Sequence, residues 1–289
     1  MKTIAALITC FNRKEKTILC LTNLFKQPLL NNFELDVFLT DDGCTDGTAE
    51  AVGKMFPQVH IIKGDGNLFW NRGMYMAWQA AIKEKDYDFY LWLNDDTYLK
   101  PTAIKQLLLS SNECLNKSVI IGSTSAIGND KEITYGGRTK TKGLLTPNGR
   151  LQPCELINGN IVLIPRYVYQ QVGTNDPYFQ HAIGDNDYGY RVIEAGLKNM
   201  VAPEILGECD LHEQPDTWRD SSKPLRVRWK ALRKPTGIQP EQFFIYEYRH
   251  YGLFIAIFHY ITTNLHAICP WIWTVSYTHL RAHETLRHL

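Results

Sequence analysis

The sequence lacks the features that mark several large classes of protein. None of its seven cysteines (Cys10, Cys20, Cys44, Cys114, Cys154, Cys209 and Cys269) sits in a C-x-x-C pair. That spacing excludes the common structural-zinc motifs and suits reduced thiols better than a disulfide framework. Charge of neither sign is in excess: 31 Lys+Arg against 30 Asp+Glu leave a formal charge of +1. A dedicated nucleic-acid binder would carry a basic surplus, so no nucleic-acid partner is expected. Internal repeats and low-complexity tracts are missing too. Met1-Lys2-Thr3 runs straight into the strand-like Ile4–Thr9 with no secretory leader, and a cytoplasmic site of action is expected. What is there is 289 residues, 44% hydrophobic and 21% charged, an ordinary globular composition with length enough for one sizeable core.

Short apolar runs alternate with helical patterns over the first half. Ile4–Thr9, Leu35–Thr40, Val59–Ile62, Phe89–Leu93 and Val119–Gly122 read as buried strands. Lys14–Phe25, Thr48–Met55, Asn71–Lys83 and Pro101–Cys114 carry helical spacing or helix-start residues. Such alternation predicts a mostly parallel sheet flanked by helices, with ligands beyond the carboxyl ends of the strands. Further on, Glu132–Arg138 and Leu144–Leu151 look like a hairpin turned at Pro147-Asn148-Gly149. Glu155–Pro165 is strand-rich, and a helix from about Asp185 to Ala195 is ended by Gly196.

The last quarter changes character. Lys223 to Lys234 holds six basic residues and no acid, and Tyr251 to Thr274 has no charged residue and many aromatics. With His259, Asn264, His266 and Pro270 inside it, that stretch fits an interfacial segment at a membrane surface, or plain packing, better than a span. The run from Val275 to Thr285 resembles the translated frame of a sequencing-library adapter, so His279, His283 and His288 are set aside as ligands.

Three polar clusters fall at strand or helix ends. Asp41-Asp42-Gly43-Cys44-Thr45-Asp46-Gly47-Thr48 follows the second strand. A helix start accounts for Asp46 and Gly47, but not for the paired Asp41 and Asp42. A calcium loop fails because Cys44 and Gly53 stand where ligands are needed, and no G-x-G-x-x-G follows the first strand. Asn94-Asp95-Asp96 leaves the fourth strand, where adjacent acids repel and invite a divalent cation. Gly184-Asp185-Asn186-Asp187 opens a helix with Arg191 four residues after Asp187. One carboxylate there can serve as general base and the other as the partner of Arg191.

In order and spacing these segments resemble the inverting family 2 glycosyltransferases of the GT-A fold. Thr9-Cys10-Phe11-Asn12-Arg13 matches its first motif, and Asp41 to Thr48 its D-D-G-S-x-D-G-T motif with Cys44 in place of Ser. Asn94-Asp95-Asp96 matches its D-x-D metal motif, and Gly184 to Arg191 its E-D-x-D-x-x-x-R segment with Gly184 in place of Glu. Gly66 to Met74 and Asn158-Gly159-Asn160 resemble the rhamnosyl- and galactofuranosyltransferase-like branch.

The resemblance implies a Rossmann-like GT-A domain over residues 1–222; the shift in composition sets off a basic then aromatic extension over 223–274, and the adapter-like run marks a non-native tail over 275–289. It implies transfer of a sugar from a UDP- or dTDP-linked donor to a glycan or lipid-linked acceptor in cell-wall or polysaccharide biosynthesis. Thr9, Arg13, Asp41, Asp42, Asn67, Arg72 and Asp95 would then bind the donor nucleotide. Asp96 and His212 would hold Mn2+ or Mg2+, with Asp95 close by. Trp70, Asn158, Gly159 and Asn160 would meet sugar or acceptor, and Asp185 would be the base, with Asp187 as the fallback. A nucleotidyltransferase or a non-catalytic nucleotide-sugar-binding module are the competing readings; Thr9–Arg13 holds no glycine for the phosphate loop of the former.

Overall fold

The computed structural model describes residues 1–28, 32–211 and 217–273. His212 and the tail from Val275 lie outside them. The chain forms two compact units, Met1–Pro177 with Gly184–Leu211, and Tyr178–Ile183 with His212–Leu289. Every proposed site residue except His212 belongs to the first.

The first unit is built on one mixed sheet. Strands β1 (Lys2–Cys10), β2 (Phe33–Asp41), β3 (Val59–Lys63) and β4 (Phe89–Leu93) are its parallel half. They are separated by helices α1 (Lys14–Phe25), α2 (Thr48–Met55) and α3 (Phe69–Glu84). After β5 (Tyr98–Leu99) and α4 (Ala103–Glu113) comes β6 (Ser118–Ala126), whose edge is extended by β7 (Asn129–Tyr135). A two-stranded ribbon, β8 (Arg138–Thr139) with β9 (Gly143–Leu144), and β10 (Gln152–Cys154) lead to β11 (Ile161–Pro165). Helices α5 (Arg166–Val172) and α6 (Gly184–Glu194) precede β12 (Lys198–Glu208). The main order is β10-β12-β6-β11-β4-β1-β2-β3, with β11 antiparallel to both neighbours.

Strand β1 shows why the sheet lies in the middle. Its residues alternate between faces: Ile4, Ala6 and Ile8 pack into one core with Leu21, Leu24 and Leu107, while Ala5 and Leu7 pack into a second with Trp78, Trp92 and Tyr188. All of these side chains are buried, the pattern expected of a strand covered on both faces.

Register brings the polar segments together. Cys10 pairs with Asp41, Asp41 with Lys63, Leu7 with Trp92, and Leu93 with Ile161. The ends of β1, β2 and β4 and the start of β11 therefore share one edge of the sheet, so Arg13, Asp41, Asp96 and Asn160 converge.

The expected hairpin forms differently. Asn129–Tyr135 pairs back onto the long β6 through a turn at Gly128, which has φ +70°, and β8 meets β9 across residues 140–142. Gly149 instead sends its amide to the Pro203 carbonyl, 3.0 Å away. The C-terminal end of β6, beyond its pairing with β11, supplied ladder partners that local turn residues could not reveal. Gly196 ends α6 as expected, at φ +76°, with its amide on the Ile193 carbonyl.

The second unit contains α7 (Leu225–Leu232), α8 (Pro240–Tyr251), α9 (Leu253–Ile268) and a 3-10 turn at Pro270–Trp273. The basic run divides by burial. Arg228 is buried and donates to the last carbonyls of α9, Ala267 and Ile268, at 2.9 and 3.1 Å, and Arg233 reaches Asn264 and Glu241. Lys223, Arg226, Lys230 and Lys234 stay exposed. Helix α9 is inverted: Ala256, Thr262, Thr263 and Ala267 are its buried residues, while Phe254, Phe258, Ile261 and Leu265 are exposed. Among the described residues no helix is long and apolar enough to cross a membrane.

Candidate active site

At the exit of β4, Asp95 and Asp96 are 4% and 6% exposed. Arg13, the residue before α1, lies against both, with Nη1 3.2 Å from Asp95 Oδ1 and 2.5 Å from Asp96 Oδ2. Burial pushes the Asp95 carboxyl well above the usual carboxylate range, in spite of Arg13. Burial disfavours the Arg13 charge, but Asp95 and Asp96 outweigh it and raise its pKa.

The carboxylates after β2 do three separate jobs. Asp42 turns inward and accepts the amides of Gly66 (2.9 Å), Leu68 (3.2 Å) and Phe69 (2.9 Å). It thereby shapes the loop that enters α3. A side chain at Gly64 could not fit there, since its Cβ would stand 2.8 Å from Asp42 Oδ1. Asp41 accepts the Cys44 amide at 2.8 Å. Asp46 joins two helix starts, taking the Lys14 amide at 3.0 Å and the Thr48 amide at 3.1 Å, which matches the helix-start reading. Asn12, at φ +52°, accepts the Thr45 amide at 2.7 Å and ties the first motif to the second. Thr9, nearly buried, touches α3 so closely that a Cβ on Gly73 would be 2.1 Å from its Oγ1.

A polar chain runs from Trp70 on α3 through Asn94 and Asn160 to Thr97. Trp70 Nε1 donates to Asn94 Oδ1 (2.7 Å), Asn94 Nδ2 to Asn160 Oδ1 (3.0 Å), and Asn160 Nδ2 to Thr97 Oγ1 (3.1 Å). Gly159 lies against the Trp70 ring, where a Cβ would be 2.1 Å from Cζ2, and donates its amide to Asp185 Oδ2 at 3.1 Å. Asn158 Oδ1 accepts the Asn160 amide at 3.2 Å. Trp92 is core, edge-on to Trp70 at 5.7 Å between centroids. Asn67 is exposed on the loop, and Arg72 donates to the Pro177 carbonyl at 2.9 Å.

The two acids of α6 differ sharply. Asp187 is fully buried and paired with Arg191 Nε at 2.8 Å, whose other nitrogens donate to the Val172 and Thr174 carbonyls. Asp185 is only partly buried by area, yet loss of hydration on burial pushes its carboxyl up to about 6 against the amides of Asn186 and Gly159.

Two groups escaped the sequence reading. Asn71, fully buried, donates to the Asp176 carbonyl and is met by Asn175, both at 2.7 Å. It also explains Gly184, where a Cβ would come within 2.1 Å of Asn71 Oδ1. Arg138 lies near enough to Asp185 to favour its ionised form, and burial in turn lowers the Arg138 pKa. Buried amides inside a helical run leave no sequence signal, and Arg138 reads only as the end of the hairpin strand Glu132–Arg138.

The family model for glycosyl transferase family 2 matches residues 5–191, more than half of the chain. An N-acetylglucosaminyl-diphospho-decaprenol L-rhamnosyltransferase from Mycobacterium tuberculosis is 24% identical over 226 residues, 68% of this chain and 73% of that protein. Among solved structures, S. aureus TarS superposes with a TM-score of 0.56 at 12% identity, over 99% of this chain and 53% of its own. The chain thus spans about half the length of that protein. A mannosyltransferase from Pyrobaculum calidifontis, solved with GDP-Man and Mn2+, gives a TM-score of 0.53 at 14% identity over 98% of this chain and 78% of its own. These two likenesses establish the GT-A arrangement of the sheet and its helices.

Proposed function

Because the chain belongs to glycosyl transferase family 2, we propose that it moves a sugar, with inversion, from a nucleotide-sugar donor to a hydroxyl of a glycan or lipid-linked acceptor. The observation that carries this is the division of labour on α6. Asp187 is sealed and ion-paired, whereas Asp185 is partly exposed, held by the Gly159 amide and poised at about 6. A carboxylate so placed suits a general base at neutral pH.

Asp185 takes the proton of the acceptor hydroxyl. The freed oxygen forms its bond to the anomeric carbon as the bond from that carbon to the diphosphate oxygen breaks on the opposite face, through an oxocarbenium-like state. Trp70 and the Asn158–Asn160 loop hold the sugar beside Asp185. Thr9, Arg13, Asp41, Asn67 and Arg72 bind the nucleotide, while Asp42 serves the pocket by fixing the loop over it. The donor is UDP- or dTDP-linked.

Asp95 and Asp96 are adjacent, buried oxygen donors that share one guanidinium, a set that fits Mg2+ or Mn2+. Asp96 would hold the ion, with Asp95 next to it in the chain; His212, the other ligand expected from the sequence, lies outside the described residues. When bound, such an ion stabilises the charge growing on the departing diphosphate.

The inverted face of α9 and the exposed basic residues of 223–234 support peripheral contact with an anionic membrane surface. That contact suits an acceptor built like the mycobacterial relative's, a sugar on a polyprenyl diphosphate.

The test is transfer and donor hydrolysis by the full chain across UDP-, dTDP-, GDP- and CMP-sugars, with and without Mn2+ or Mg2+. Metal-dependent turnover of one donor is expected, lost in Asp96→Ala. Asp185→Asn should keep donor binding and lose about 10²–10⁴-fold in transfer. Equal rates for Asp185→Asn and the parent overturn the base assignment. Nucleotide binding without turnover on any acceptor favours a binding module.

A further inference from the structure

Cys44 occupies the place where the family motif has serine, and its partner is Cys10, the last residue of β1. The two sulfurs are 3.8 Å apart. That separation is far from the about 2.05 Å of a disulfide. It is close to the distance between two thiolates on one tetrahedral ion, where metal–sulfur bonds of about 2.3 Å place the sulfurs about 3.8 Å apart. An Asp41 carboxylate oxygen completes the group, and the three ligand atoms lie within 4.8 Å of one another. Sheet register enforces the grouping, since Cys10 and Asp41 are paired residues of β1 and β2. Cys44 is brought back by the turn at Gly43, φ +73°, and by the bond from its own amide to Asp41 Oδ1.

We propose that Cys10, Cys44 and Asp41 bind one soft divalent cation, Zn2+ in chemical type, through two sulfurs and one oxygen, with water completing the tetrahedron. Sulfur ligands separate this site from the oxygen pair Asp95 and Asp96, which suits hard ions. A supporting donor is already present: the Asn12 amide points at Cys44 Sγ from 3.2 Å, the kind of outer bond that stabilises a ligating thiolate. Free thiols are protonated at neutral pH. Binding therefore exchanges protons for the ion: Zn2+ and two thiols give a zinc dithiolate and two protons, and Asp41 gives a carboxylate oxygen. Entry is from the Cys44 side, since Cys10 is buried and Cys44 is only partly so. The site shares Asp41 with the nucleotide pocket proposed above, but its test reads metal binding alone and does not depend on which sugar or nucleotide that pocket takes.

The experiment is a Co2+ titration of the full-length, reduced chain, followed by displacement with Zn2+. One equivalent should produce thiolate-to-cobalt charge-transfer absorption with about two protons released per ion, and Zn2+ should then abolish the band with no further proton release. Excess Mg2+ should leave the band unchanged. Cys44→Ser should remove the band and weaken Zn2+ binding at least tenfold, and Asp41→Asn should weaken it while keeping the sulfur band. Cys114→Ser, a thiol elsewhere, should change nothing. Cys44 is partly exposed, so its variant tests the site even where Cys10→Ser fails to fold. No charge-transfer band, or one that survives Cys44→Ser, overturns the proposal. So does a band lost in Cys209→Ser, because the Cys209 sulfur lies 3.8 Å from Asp96 Oδ1 and the ion would then sit there.

Discussion

Gly159 and Asp185 meet across 26 positions of sequence, the glycine amide donating to Asp185 Oδ2 over 3.1 Å while the Trp70 ring closes against the same glycine. This contact joins the loop before β11, the start of α3 and the start of α6 into one support for the proposed base.

Gly159→Ala tests that support. The new Cβ would stand 2.1 Å from Trp70 Cζ2, so the ring or the loop must move. Overpacking of this kind costs about 1–3 kcal/mol. We expect a lowered melting temperature and a fall in kcat larger than any change in donor affinity, measured by steady-state kinetics beside donor titration.

The two acids of α6 should respond in opposite ways to removal of their charge. Asp187→Ala leaves Arg191 without its buried partner and should cost about 3 kcal/mol in urea unfolding. Asp185→Asn removes a carboxylate whose ionisation burial opposes and should leave the protein equally or more stable. Equal destabilisation by both would contradict the division between them.

The raised Asp185 pKa fixes the sign of a pH effect. Between the unfolded value of 3.8 and the folded value of about 6, the folded chain binds more protons than the unfolded one. The contribution of Asp185 to stability is therefore full below the lower value and is lost as pH rises through about 6. Transfer runs the other way, since the base must be ionised: kcat/KM should climb through about pH 6, and this acidic limb should vanish in Asp185→Asn.

Asp42→Ala removes the acceptor of three loop amides. Unsatisfied donors cost about 1–3 kcal/mol each when buried, and water will meet part of that need at this half-exposed loop. Faster hydrogen exchange at Gly66, Leu68 and Phe69, with a weaker donor affinity, is the expected result. Unchanged exchange would remove Asp42 from its place as the loop's anchor.

Much of this was legible in the chain because the polar segments interrupt apolar runs at strand ends, and parallel strands carry their ends to one edge. Arg13, Asp41 and Asp96 meet for that reason, and Asn160 joins them because β11 runs antiparallel to β4 and starts at the same edge. What separates neighbouring acids was not legible, because it depends on distant partners. Asp42 is set apart from Asp41 by amides more than twenty residues on, and Asn71 is held by Asn175. The departure at Gly184 made sense only once Asn71 was seen to fill the space a side chain would need. The end of β6 beyond β11, which captured the strand expected to pair with Leu144–Leu151, likewise leaves no local mark.

The pairing of β1 with β2 has one more consequence. A slip of one residue would turn every side chain of β2 to the opposite face, exchanging Asp41 with Asp42 and expelling Val37 and Leu39 from the core they share with Ile4 and Ile8. The energetic penalty for misplacing the acids is thus levied on the apolar residues beside them. Folding acts here as a proofreading step: a molecule that has buried its core correctly has already inspected its own chemistry.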